Sequence, residues 1–135
     1  MPSRLIENFE RRYRLDQPEM DATHREFVEL VNRLGEADKA QFIPLFETLM
    51  THTQAHFAAE DRMMEACGFP AIREHRDEHR RVLGELERFG QRVAAGSILM
   101  GRAYVTQQLP GWFDLHAVTM DSALAAHLKL MKVDF

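Results

Sequence analysis

Seven side chains able to bind a metal ion recur along the chain at helical spacing: His24, His56, Glu60, His75, His79, His116 and Asp121. His56 and Glu60 are four apart, as are His75 and His79. Residues four apart differ by about 40° around an α-helix, so each pair stacks on one face. His116 and Asp121 are five apart, roughly 140° around the helix. Asp121 therefore needs a bent or loosened helix to reach the same site. Five imidazoles and two carboxylates exceed what one tetrahedral zinc can use. They suit two metal ions bridged by carboxylates. Imidazole mixed with carboxylate, and no thiolate, favours iron.

These residues stand where apolar ones belong. Met20, His24, Phe27, Val31 and Leu34 recur at steps of three and four, and Gly35 is expected to stop that run. A second stripe holds Phe42, Leu45, Leu49, Thr53, His56, Glu60, Met63 and Met64, with Gly68 as the expected cap and Pro70 beyond it. A third holds Ile72, His75, His79, Val82, Leu86, Phe89 and Val93. A fourth holds Leu99, Val105, Leu109, Trp112, His116 and Met120. Pro110-Gly111 is expected to kink or interrupt this last helix. The spacing predicts helices over about 20–34, 40–66, 71–94 and 98–118, with residues 1–18 as an N-terminal arm and a short C-terminal segment to 135. This pattern predicts an all-α chain: one domain over 1–135, an up-down-up-down four-helix bundle with a di-metal site in its core. A buried, unpaired carboxylate costs several kcal/mol or shifts its pKa. Bound cations would satisfy the carboxylates and the imidazole lone pairs together.

Composition narrows the function. The chain has 135 residues, 45% of them hydrophobic, and a net charge of −4. That fits one globular domain, with no basic patch for nucleic acid. No apolar run approaches the roughly 18–20 residues of a membrane span. The N-terminus lacks the apolar core of a secretion signal. A single cysteine, Cys67, excludes an internal disulfide and fits a reducing compartment. A cytoplasmic monomer is expected.

The segments that carry the seven residues resemble a hemerythrin along nearly the whole chain. YRLDQPEMDATH (13–24) is similar to the family's approach to its first helix. HFAAED, then GFP, then HRDEH match the second and third helices. WFDLHAVTMD (112–121) matches the fourth, in which His and Asp are five apart. The resemblance implies that His75, His79 and His116 hold one iron and that His24 and His56 hold the other. Glu60 and Asp121 would bridge them, with an oxo or hydroxo group from solvent. The iron with two histidines would keep an open position for dioxygen, with Phe57, Trp112 and Phe113 around the oxygen pocket. The chain departs from the pattern at four positions. Phe9 replaces a frequent Trp, Asp16 a usual Gly, Asp61 a frequent Glu, and Phe113 a frequent Leu.

Other residues read as structural. His52 lies one turn before His56 and is expected beside the site but not in it. His127 is expected at the surface or filling the core. Cys67 is expected to be a buried helix-end thiol, and the charges of REHRDEHRR to be a solvated face. The resemblance implies reversible dioxygen binding for oxygen storage, transport or buffering, and not an enzyme. Two alternatives accompany it. One is a module sensing oxygen, redox state or nitric oxide for a partner protein. The other is a di-iron oxidase or peroxidase. Ferritin-like oxidases use Glu-x-x-His on two helices, and no such pair stands here.

Overall fold

The computed structural model describes residues 4–133, and the described residues form helices with no strand. A one-turn helix α1 (Phe9–Arg12) sits within the arm. Helices α2 (Pro18–Glu36), α3 (Lys39–Cys67) and α4 (Ile72–Ala94) follow. The fourth bundle helix is continuous but composite. It joins α5 (Leu99–Ala103), α6 (Leu109–His116) and α7 (Ser122–Leu130) through two π-helical turns, Tyr104–Gln108 and Ala117–Asp121. The architecture is the expected up-down-up-down four-helix bundle.

Local chemistry sets the helix ends. Pro18 opens α2, where its missing N–H costs nothing, and the Gln17 side chain accepts from the Met20 N–H. Asp38 and Gln41 form a reciprocal capping box on α3. Gly68 ends α3 in the left-handed region, with φ 63°. Asp16 also lies there, at φ 57°, a conformation that aspartate tolerates better than most residues.

Three boundary expectations need correction. Gly35 does not stop α2, which runs on to Glu36. It makes room for the arm instead, since a Cβ there would lie 2.7 Å from Leu5 Cδ1. Pro110-Gly111 does not break the fourth helix. Proline clashes with the carbonyl four residues back, and the preceding π turn loosens the ladder, with the Leu109 N–H reaching Tyr104 O. The helix also passes the expected end at 118 and reaches Leu130. A 3.6-residue period cannot be followed through a π turn, so the inward positions of Leu124, Ala125 and Leu128 fall outside the α-helical stripe. Leu99 points outward, while Gly101 is buried where a Cβ would lie 2.7 Å from Val93 Cγ2.

The core has two apolar parts. A large cluster holds Phe27, Val31, Leu34, Phe42, Phe46, Leu49, Val82, Leu86, Val105 and Leu109. A smaller one holds Met20, Met63, Met64, Cys67, Phe69, Leu124 and Leu128. In every bundle helix the metal-capable residues fall between these clusters, so they form one polar layer sealed at both ends. The arm closes one side. Asn32 brackets the Ile6 backbone, accepting its N–H at 2.9 Å and donating to its carbonyl at 3.0 Å.

Candidate metal centre

All seven sequence-derived residues meet in the polar layer, and each is at most 4% exposed. α2 supplies His24, α3 supplies His56 and Glu60, and α4 supplies His75 and His79. The fourth helix supplies His116 and Asp121. The π turn Ala117–Asp121 solves the five-residue spacing. Its ladder includes a bond from the Ser122 N–H to Ala117 O, five residues back. A π turn stacks residues five apart, as an α turn stacks those four apart. Asp121 Oδ1 thus comes to 3.2 Å from His116 Nε2.

The donor atoms fall into two overlapping groups. Glu60, His75, His79, His116 and Asp121 form one, and His24, His56, Glu60 and Asp121 the other; within each, the donor atoms lie within 4.8 Å of one another. The two carboxylates belong to both. Glu60 Oε2 lies 2.7 Å from His56 Nε2 and 3.2 Å from His24 Nε2, while Oε1 lies 3.1 Å from His79 Nε2 and 3.2 Å from His75 Nε2. Asp121 spans His24 and His75 at 3.1 Å each.

Many of these close approaches are not hydrogen bonds. Glu60 Oε1, both Asp121 carboxylate oxygens and the Nε2 atoms of His75, His79 and His116 are buried without a hydrogen-bond partner. Within each group these atoms lie close together in the same buried space. Unpaired buried polar atoms are costly. A cation within each group would satisfy them, and this donor set fits two oxygen- and nitrogen-loving ions.

Electrostatics shows what the cluster does without metal. Burial alone would lower His24, but Asp121 and Glu60 outweigh it and raise it to about 10. His75 behaves likewise and rises to about 9. Burial dominates at His56, whose value is lowered. Burial pushes Glu60 upward, yet His56, His24 and His75 hold it well below the ordinary carboxylate range. Asp121 is depressed as well, by His116 and His24 against burial and Glu60. Without metal, the two carboxylates thus favour the protonated forms of His24 and His75.

Aromatic rings enclose the centre asymmetrically. Phe57 lies flat on His79, with centroids 3.9 Å apart and planes 3° apart. Trp112 stacks on His116 at 4.7 Å and donates its Nε1–H to Glu78 at 2.7 Å. Two of the three expected pocket residues thus brace the three-histidine group. Phe113 stands edge-on to His24 at 5.6 Å, and Phe27 tilts toward His56 at 6.2 Å. Phe27 escaped the sequence reading because its place in the stripe marks it only as core.

The secondary positions also resolve. His52 sits beside the layer, with Nε2 3.0 Å from Glu26 and its ring 6.1 Å from that of His56. His127 is partly buried and binds the Cys67 carbonyl at 3.0 Å. Cys67 is a buried free thiol raised by burial. Tyr13, on the arm, donates to Asp114 at 2.5 Å and sets its ring 5.1 Å from Phe113.

The profile of the hemerythrin HHE cation binding domain matches residues 16–131. The chain belongs to the hemerythrin family. A bacteriohemerythrin of Ralstonia nicotianae is 38% identical over 108 residues, covering 80% of this chain and 78% of its own. One of Stenotrophomonas maltophilia is 25% identical over 114 residues, covering 82% and 73%. Crystal structures of hemerythrin mutants share the fold with a TM-score of 0.84 at 18% identity, over 93% of this chain and 98% of theirs. Hemerythrin membership carries with it a metal-binding site of histidine, glutamate and aspartate, in keeping with the buried cluster.

Proposed function

We propose that this hemerythrin-family chain binds dioxygen reversibly at a two-iron centre, for oxygen storage, delivery or buffering. The observation that carries the reading is the unequal division of donors around shared carboxylates. His75, His79 and His116 would hold one iron, and His24 and His56 the other, with Glu60 and Asp121 common to both. When bound, the iron pair supplies the reversible redox chemistry that captures dioxygen beside the histidine-poor position.

The protein's part is to position and to exclude. Glu60 and Asp121 bring negative charge that matches two cations. Phe57 and Trp112 hold the planes of His79 and His116. Phe27 and Phe113 present apolar edges on the side of His56 and His24 and keep bulk water away. Low water activity there slows proton delivery to the site. In this reading the chain converts no organic substrate.

A second reading, sensing through a partner, is favoured by one contact path. The arm's Tyr13 touches Phe113, and Phe113 touches His24. A change at the histidine-poor position could thereby reach the arm.

An optical titration tests the primary reading. The iron-loaded, reduced protein is moved from argon to air and back, with iron counted per chain. Two irons per chain, and a charge-transfer band that appears in air and vanishes under argon, are expected. Permanent oxidation without that band overturns reversible binding. Fewer than two irons overturns the two-iron centre.

A further inference from the structure

His79 differs from the other four histidines of the polar layer. Its Nδ1 lies 3.2 Å from Asp61 Oδ1. The Nδ1 atoms of His24, His56, His75 and His116 are buried without a partner. The Phe57 ring also lies on His79, with centroids 3.9 Å apart and planes 3° apart. Phe57 and Asp61 are four apart on α3, so they share one face of that helix. Glu60, one residue earlier than Asp61, is turned about 100° away and reaches into the layer. One helix therefore grips a histidine of its neighbour by its face and by its outer edge, and sets a shared carboxylate before its inner nitrogen.

We propose that Asp61 is a positioning residue of the metal centre, accepting the Nδ1–H of His79 so that the Nε2 lone pair faces inward. The inference rests on the reading of His79 as a metal ligand. A neutral imidazole carries one N–H, on one nitrogen or the other. With the proton held at Nδ1, Nε2 is free to donate to a cation. With the proton at Nε2, the ring would donate to Glu60 Oε1, 3.1 Å away, and could not bind metal. Asp61 tips this choice. A carboxylate on the outer nitrogen also makes the inner one a stronger donor. The Asp61 side chain is 34% exposed, so the contact orients a ring and is not an anchor of the fold.

The test compares wild type with Asp61→Leu, Asp61→Asn and Asp61→Glu. In metal-free, 15N-labelled protein, long-range 1H–15N spectra read which ring nitrogen of His79 is protonated and how fast its Nδ1 proton exchanges with water. Wild type and Asp61→Glu are expected to show a protected Nδ1–H. Asp61→Leu is expected to lose that protection and gain the Nε2-protonated form. In iron-loaded protein, a chelator should strip metal roughly 10–100-fold faster from Asp61→Leu than from wild type. Asp61→Asn should fall between, and Asp61→Glu should restore retention. Thermal unfolding of the metal-free variants checks that each is folded. An unchanged Nδ1–H together with unchanged iron loss in Asp61→Leu overturns the inference. A wild type that holds no iron overturns the ligand reading instead, and the metal-free spectra then decide the Asp61–His79 contact alone.

Discussion

Loading the metal-free protein with a divalent ion is expected to expel two protons per chain at pH 7. The protons are those on His24 and His75, raised to about 10 and about 9 by Asp121 and Glu60 against the opposing effect of burial. Each of the two ions requires one of these Nε2 lone pairs, so protons and metal compete. Removing a proton at pH 7 costs about 1.4 kcal/mol for each unit by which the group's value exceeds 7. That is about 4 kcal/mol for His24 and about 3 kcal/mol for His75. The overall constant for binding both ions should therefore rise about a hundredfold per pH unit from 7 to 9, about tenfold for each ion. Between 9 and 10 it should rise about tenfold, and above 10 it should level off. Zinc serves as the probe, titrated by calorimetry in two buffers of different ionisation enthalpy, with a competing chelator. The same protons stabilise the metal-free fold. Their contribution is complete below the ordinary histidine value of 6.5 and is lost as pH rises through about 9 and 10. Metal-free protein should lose stability over that window and metal-loaded protein should not. A binding constant flat between pH 7 and 9, with less than one proton released, would refute the protonation of His24 and His75 described for this layer.

Further expectations concern single side chains. Asp121→Asn removes a charge shared by both donor groups and should lower bound metal below two ions per chain, measured by elemental analysis of the loaded protein. Phe113, 1% exposed, should tolerate Phe113→Leu at a cost of about 1–1.5 kcal/mol in chemical denaturation, while air oxidation of the reduced iron protein quickens in stopped-flow. An unchanged oxidation rate would remove Phe113 from the access route. Asp114 is held at about 2 by Arg12 and Tyr13, so its contribution to arm docking is present above the ordinary value of 3.8 and fades as pH falls toward 2. Asp114→Asn should raise amide hydrogen exchange in residues 6–15 at neutral pH and leave α3 and α4 protected; equal protection of the arm would show that other contacts hold it.

Much of the centre could be read from one dimension because α-helices repeat. His56/Glu60 and His75/His79 each sit one turn apart, so an inward stripe that includes one must include the other. His24 follows from the same rule, through Met20 and Phe27. The all-α bundle is legible on the same ground, since four stripes need one another for cover. The rule ends where the helix changes its period. On an α-helical period Asp121 falls roughly 140° from His116, and the inward stripe ends at 118 for the same cause. Both follow from the π turn Ala117–Asp121. Pro110 likewise marks a break only if the helix ahead of it is α-helical, and it is not.

Local spacing and side-chain chemistry are properties of the chain, and they mark out seven metal-capable side chains and the helices that carry them. Packing between helices sets how those side chains divide, with Glu60 and Asp121 common to a three-histidine and a two-histidine group. It also decides that Asp61 meets His79 across two helices and that Phe27 borders His56. Tyr13 likewise reaches Asp114, more than a hundred residues later in the chain. These are contacts between separate elements, set by how helices pack and rotate against one another, and no period within a single helix records them.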